Sequence, residues 1–381
     1  MALLKVSALA SLFVFLASLV NSATAVANGN CFDAVIPVNI TADNTNYKLT
    51  LPKNQEEVTD LFTRFTSLTS NVTTETDGGI KTIKATYKIW TSLCIPNNQD
   101  TAKTVELAVH GAGFDHSWWN FGGDGSKYNY VEAALKAGHA ILIYDRLGTG
   151  QSDKPDGIAE VQVAAQVEIA GELAKYLRAK PRGNQFDRVI GVGHSFGSAQ
   201  LVGLARKYGN VLNATVLTGF TTFVGGTGTA AAAFGWTIAS VQNPKRFSSL
   251  PSSYIISEGI SNDQNVFFRF GGYDPAILQA AENTKATSTI GEILNLFGSL
   301  SPVTDYTNPI FIVTGDKDYI VCGGNCYQKV DGVNLLESTK GIFPAVTKFS
   351  TYIPANTGHG NNVHLSAPEQ YSKIQEWIAQ L

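Results

Sequence analysis

The stretch VIGVGHSFGS, from Val189 to Ser198, ends an apolar run on a serine, Ser195, with Gly193 and Gly197 two positions to either side. That setting suits a sharp turn from a buried strand into a helix, where the hydroxyl stands above the sheet and the positions two before and two after must lack bulk. The helix is supplied by SAQLVGLARKYG, whose apolar residues recur at helical spacing. Ser195 is therefore a candidate nucleophile. A serine hydroxyl is weak alone and needs a base to take its proton, a group to orient that base, and donors for the oxyanion formed on attack.

In the strand–turn–helix arrangement the base is a histidine late in the chain, after an acid that itself follows the serine. YIPANTGHGNN places His359 in a glycine-flanked loop between the strand-like TKFSTYI and a last helix, for which Ser366 and Glu369 read as a capping box. His364 is the rival, but HGNNVH lacks the H-E-x-x-H spacing of a zinc site. The acid comes from NPIFIVTGDKDYIVC, in which Ile310 to Val313 form a short strand and the exit loop offers Asp316 and Asp318. Oxyanion donors are backbone N–H groups, one from Phe196 and one from the glycine-rich loop after the strand Val105 to Val109, where Ala112 is the first candidate and Gly113 the second. Trp118 and Trp119 follow that loop and either wall an acyl pocket or pack in the core. His110 braces the oxyanion loop, His194 packs beside the sheet, and His116 and His139 read as ordinary loop residues.

These groups must be carried by a framework, and the chain alternates strand-like and helix-like segments. DAVIPVNI and YKLTL read as strands, EEVTDLFTRFTSL as a helix, and IKTIKATYKIW as a strand with one wet face. TVELAVHG, a helix near VEAALKAG, HAILIYD, a long helix from about Ile158 to Lys180, RVIGVGHS, the helix to Tyr208 and ATVLTG continue the alternation. Such a pattern implies a mostly parallel sheet covered on both faces, with its site at the C-terminal ends of the strands. Between ATVLTG and PIFIVTG the alternation is interrupted, and GTAAAAFGWTIASV, DPAILQAAENT and STIGEILNLFGSL each read as helix.

A formal net charge of −3 and 15% charged residues give no nucleic-acid stripe and no acidic tail. MALLKVSALASLFVFLASLVNSATA reads as a secretory leader over residues 1–25, with Lys5 before the apolar run and Ala23 and Ala25 spaced for cleavage. No later run is long and apolar enough to span a bilayer, so an exported protein without stable membrane insertion is expected. Four cysteines suit an oxidising compartment; of three pairings, Cys31 with Cys94 and Cys322 with Cys326 are favoured, the latter closing the loop CGGNC. Asn39, Asn71 and Asn213 lie in glycosylation sequons. No phosphate-binding loop or metal motif is present in the sequence, and neither a cofactor nor a metal is expected.

Taken in order, VHGAG, YDRLGTGQSDKP, GVGHSFGS, TGDKDYIV and TGHG resemble the motifs of the α/β-hydrolase fold superfamily, covering roughly Thr104 to the C-terminus. The resemblance implies an α/β fold with a mostly parallel central sheet, helices on both faces and an inserted helical cap. It divides the chain into a leader (1–25), an N-terminal extension joining the sheet (26–103), a core (104–219 and 306–381) and a cap (220–305). It selects Asp318 over Asp316 as the acid, gives Asp145 and Arg146 structural roles, and implies a secreted serine hydrolase. With an apolar cap, Phe234 and Trp236 included, the expected substrate is a small to medium apolar ester or lactone. Amide or peptide cleavage, lyase chemistry with the same triad, or a non-catalytic binding protein are the alternatives.

Overall fold

In the computed structural model, which describes residues 18–97, 102–296 and 301–381, the chain enters its sheet through three antiparallel strands, β1 (Ser18–Val26), β2 (Gly29–Tyr47) and β3 (Asp77–Pro96). Helices α1 (Gln55–Thr66) and α2 (Val72–Glu75) connect β2 to β3. Alternation then begins: β4 (Thr104–Val109), α3 (Tyr130–Lys136), β5 (Ala140–Tyr144), α4 (Val163–Arg178), β6 (Arg188–His194), α5 (Phe196–Tyr208) and β7 (Ala214–Thr218). An insert follows, with α6 (Thr227–Ala233), β8 (Thr237–Ile238), α7 (Ala239–Gln242), α8 (Pro244–Phe247), β9 (Tyr254–Ile256), α9 (Ile260–Phe267), α10 (Pro275–Thr284), β10 (Ser288–Thr289) and α11 (Ile290–Leu294). The chain returns through β11 (Ile310–Val313), α12 (Tyr319–Cys322), the small hairpin β12 (Lys329–Val330) and β13 (Val333–Asn334), α13 (Leu335–Ser338), β14 (Phe349–Tyr352) and α14 (Ala367–Ala379).

The main sheet has the order β1-β2-β3-β5-β4-β6-β7-β11-β14, and from β5 to β14 every neighbour is parallel. Strands β4, β5, β7 and β11 are buried along their whole length, as apolar runs must be when helices cover both faces. Two disulfides form, Cys31–Cys94 joining β2 to β3 and Cys322–Cys326 at the end of α12.

Several local expectations are corrected. YKLTL is not a strand: pairing stops at Tyr47, and Leu51 stands 46% exposed with no strand beside it. The long helix starts at Val163 rather than Ile158, because Asp156 caps the N–H groups of Ile158 and Ala159 in a preceding turn and the Gln162 side chain is spent on the backbone of Thr45. The insert is not wholly helical. GTAAAAFGWTIASV breaks at Gly235, whose φ is +54°, and Thr237–Ile238 then joins the three-stranded sheet β10-β9-β8. Helix α14 lacks the capping box: Ser366 Oγ bonds Thr357 and Gln370, and Glu369 accepts from the Tyr352 hydroxyl. The expected leader falls mostly outside the described residues, and its last part lies in β1, paired with β2.

Candidate active site

Ser195 separates β6 from α5 with φ +52° and ψ −115°, a conformation an L-residue holds only under strain of about 1–3 kcal/mol. Two hydrogen bonds to one carbonyl pin the turn, the Ser195 N–H to Thr218 O at 2.8 Å and Ser198 Oγ to the same oxygen at 2.9 Å. The flanking glycines are required by contact: a Cβ on Gly197 would lie 2.0 Å from Val109 O, and one on Gly193 would lie 2.6 Å from Ser198 N. The strained bend thus wedges against the end of β4. It leaves the Ser195 side chain partly accessible among buried neighbours.

His359 lies on the loop after β14 and Asp318 on the loop after β11, both wholly buried. His359 Nδ1 donates to Asp318 Oδ2 at 2.7 Å, while Asp318 Oδ1 caps α12 by accepting the Val321 N–H at 2.9 Å. With Nδ1 carrying the proton, Nε2 of His359 is a lone-pair acceptor, and it is buried without a hydrogen-bond partner. Ser195 Oγ and that nitrogen are not hydrogen-bonded to each other in this conformation. Asp316 takes no part in this pair, since its Oδ1 accepts the Thr357 N–H at 3.0 Å and holds the histidine loop. His364 braces the same loop: Nε2 accepts from Gly358 and Arg269 N–H groups at 3.0 and 2.9 Å, and Nδ1 donates to Gly360 O at 2.7 Å. Burial holds the His364 imidazole down at about 4, so it stays neutral and keeps those two acceptor bonds.

The N–H groups of Ala112 and Phe196 have no hydrogen-bond partner among the described residues. Gly113, the second candidate for that role, is occupied: its N–H donates to Ser288 Oγ at 3.2 Å, and its carbonyl accepts from Ala286 at 2.9 Å. Of the two tryptophans, Trp118 is brought beside the elbow, stacking on His194 at 4.2 Å, whereas Trp119 packs on Tyr130 at 5.3 Å. Burial, followed by the neighbouring His359, holds His194 well below the ordinary histidine range, so this residue is neutral packing. Phe234 and Trp236 stack on each other at 4.2 Å; Phe234 also meets Phe267 at 5.5 Å, whereas Trp236 packs on Phe62 of α1.

A residue that no local sequence pattern marks joins these parts. Phe267, at the end of α9, lies 4.9 Å from Phe114, 5.5 Å from Phe234 and 6.1 Å from the His359 ring, centre to centre. Its carbonyl accepts the Gly360 N–H at 2.7 Å, beside the histidine. The signal was faint, because ISNDQNVFF is polar over its first half and its function depends on a contact more than ninety residues downstream.

Residues 107–374, more than half of the sequence, match the profile of the alpha/beta hydrolase family. The chain belongs to that family. A proline iminopeptidase of Chitinophaga pinensis is 30% identical over 143 residues, which are 36% of this hydrolase and 41% of that protein, so the match spans about two fifths of the relative's length. Among solved structures, the hydrolase resembles a thermophilic esterase from Thermogutta terrifontis, with a TM-score of 0.52 and 14% identity over 77% of this chain and 94% of that one. It also resembles a soluble variant of monoglyceride lipase from Saccharomyces cerevisiae, with a TM-score of 0.53 and 12% identity over 78% and 92%. At these identities the likeness is one of fold.

Within this hydrolase, Ser195, Asp318 and His359 stand on the loops leaving β6, β11 and β14, at the same edge of the parallel sheet. Asp115, His116 and Asp145 bring ligand-type atoms within 4.8 Å of one another, but Asp145 is committed to the backbone N–H and Nδ1 of His116 and to the Gln151 N–H. Burial lowers the His116 pKa, yet that hydrogen bond and the charge of Asp145 outweigh it and raise the net value, as expected for an ion pair bracing a loop.

Proposed function

We propose that the protein is an exported serine hydrolase that cleaves a carboxylic ester or lactone of a small to medium apolar substrate, with Ser195 as nucleophile, His359 as general base and Asp318 as its orienting acid. The observation carrying this reading is the buried lone pair on Nε2 of His359, its tautomer fixed by Asp318, on the sheet edge where Ser195 is held strained. The bond from Ser195 Oγ to Nε2 is the one not formed here, and in unliganded enzymes that bond is often long or misaligned. His359 takes the proton as Oγ bonds to the carbonyl carbon, and the oxyanion is received by the N–H groups of Ala112 and Phe196. The proton then passes to the leaving alkoxide as the ester bond breaks. Water, deprotonated by the same imidazole, releases the acid.

The apolar specificity rests on Phe114, Trp118, Phe234 and Phe267, a contiguous aromatic cluster that meets His194 through Trp118 and His359 through Phe267. An aminopeptidase specificity, suggested by the iminopeptidase relative, would call for a carboxylate to hold the substrate ammonium, and these four residues offer none. Export is supported by the N-terminal leader pattern and the two disulfides; Asn39 and Asn71 are exposed and open to glycosylation, whereas Asn213 is half-buried, with its Oδ1 accepting from Val189 N and Arg178. A fluorophosphonate probe should label Ser195, and Ser195→Ala should lower turnover of p-nitrophenyl esters by about 10⁴–10⁶. Labelling at another residue, or near-normal hydrolysis by Ser195→Ala, sinks the assignment. A panel of esters, lactones, amides and C–C substrates then fixes the bond type.

A further inference from the structure

The loop that carries Ala112 is held by a buried charge. Gly111 O accepts two hydrogen bonds, from His110 Nδ1 at 2.9 Å and from Arg146 Nη2 at 3.2 Å. The Arg146 backbone N–H donates to His110 Nε2 at 3.1 Å, which leaves the imidazole proton on Nδ1 and makes that nitrogen the donor to Gly111 O. The longer approach of Arg146 Nε to Nδ1, 3.4 Å, is then contact between two donors rather than a bond. Burial, followed by the Arg146 charge, holds His110 well below the ordinary histidine range, so the neutral tautomer persists.

Gly111 C=O and Ala112 N–H belong to one planar trans peptide and point in opposite directions. Two donors fixed on the oxygen therefore fix the direction of the Ala112 N–H. Its position is close to the nucleophile, since a Cβ built on Gly111 would lie 3.1 Å from Ser195 Cβ. A guanidinium bonded to the oxygen also draws electron density through the amide and strengthens the N–H as a donor, an effect large only where water is excluded. Arg146 is 1% exposed.

We propose that Arg146 is a positioning residue for the oxyanion hole, orienting and polarising the Gly111–Ala112 peptide so that the Ala112 N–H meets the developing oxyanion. The inference rests on the serine-hydrolase reading above. The guanidinium is itself fixed from the insert and the core: Nη1 bonds Glu292 of α11, and also Gln166 of α4 at 2.6 Å. Gln166 bonds Glu292 at 3.1 Å and accepts from Gln200 of α5 at 2.9 Å. The guanidinium also lies 4.8 Å over the ring of Phe196, the residue supplying the other oxyanion donor. Burying such a pair strips both ions of water, and a neutral pair of similar volume would pack as well. The charge acts on the Gly111 carbonyl, which a neutral pair could not do.

Two variants test this. Arg146→Met/Glu292→Gln removes both charges, so no unpaired ion is buried. Arg146→Lys keeps a charge beside Glu292 but loses the fork that spans Glu292, Gln166 and Gly111 O together. With a soluble p-nitrophenyl ester, kcat should fall about 10–100-fold with KM nearly unchanged, less than the roughly 10²–10³ seen when an oxyanion donor is removed outright. Phenylboronic acid, whose tetrahedral adduct uses the same donors, should lose affinity by the same factor as kcat. Thermal melts establish that each variant is folded; should the double variant not fold, Arg146→Lys decides alone. Folded protein with wild-type kcat, or with unchanged boronate affinity, overturns the proposal. Ser195→Ala is run alongside: if it still hydrolyses the ester, the proposed function has failed, whereas an inert Ser195→Ala beside fully active Arg146 variants defeats only the role of Arg146.

Discussion

Replacing Asp318 by asparagine changes almost nothing in shape and everything in the proton inventory. Oδ1 of the native carboxylate accepts the Val321 N–H and Oδ2 accepts the His359 Nδ1–H. An asparagine has one acceptor for these two donors. If its oxygen keeps Val321, its NH₂ faces Nδ1, the imidazole moves its proton to Nε2, and no base remains for Ser195. Triad precedents put that loss near 10⁴ in kcat. The amide can instead flip and serve the histidine, which forfeits the cap of α12 and sets the Val321 N–H against another donor, about 1–3 kcal/mol in all. That makes the productive flip about 5- to 150-fold rarer, so the loss in kcat should lie between about 5-fold and 10⁴. Asp316→Asn is the contrast, because its Oδ1 acceptor for Thr357 survives the change. Turnover of a p-nitrophenyl ester and the ¹⁵N shifts of the His359 ring read the effect. Asp318→Asn within about threefold of wild type, or an equal loss in Asp316→Asn, refutes the reasoning.

Two further perturbations separate packing from chemistry. Phe267→Ala opens space between Phe114, Phe234 and His359, and should raise kcat/KM for longer acyl chains relative to shorter ones by on the order of tenfold per added methylene; a lower melting temperature with an unchanged chain-length profile would show that the ring only packs. His364 titrates near 4 when folded and near 6.5 when unfolded, so the folded state gains from its neutrality above pH 6.5 and loses up to about 3 kcal/mol as pH falls toward 4. His364→Gln should flatten the pH dependence of stability across that window by about one proton, measured by urea unfolding, and an unaltered slope would assign the acid sensitivity elsewhere.

What could be read in advance divides along the range of the interactions involved. The elbow was legible because its constraints are local: the bulk excluded at Gly193 and Gly197 and the apolar run ending at Ser195 lie within ten residues. The alternation of β4 to β7 was legible because strands buried on both faces are written mostly with apolar residues, and the charged exception, Glu106 in β4, is buried with hydrogen-bond partners that include Tyr130 and His139. Boundaries failed where a side chain competed for backbone groups, as Asp156 and Gln162 do ahead of α4, or where a distant bond took a cap away, as Thr357 does to Ser366. The insert was the least legible. The pairing of Thr237–Ile238 with β9, the use of Ser288 on Gly113 and the place of Phe267 all depend on contacts across tens to hundreds of residues. Arg146 was read as structural from family likeness, and no local pattern could show that its guanidinium reaches the Gly111 carbonyl.

Those long-range contacts constrain how a substrate can enter. The insert holds the histidine loop through Gly360 N–H to Phe267 O, Arg269 N–H to His364, Leu365 N–H to Gly272 O and Asn356 Nδ2 to Gly271 O. It holds the oxyanion loop through Gly113 N–H to Ser288 Oγ and Ala286 N–H to Gly113 O, and through the Glu292–Arg146 ion pair. Lifting the insert as a rigid lid would break all of these, at about 0.5–1.5 kcal/mol for each hydrogen bond and about 3–5 kcal/mol for the separated ions. Rotation of an aromatic side chain costs far less, since it breaks packing and no hydrogen bond. A substrate therefore has to reach Ser195 without displacing the backbone of the insert, which ties the loop of Gly111–Gly113 and the loop of His359 together.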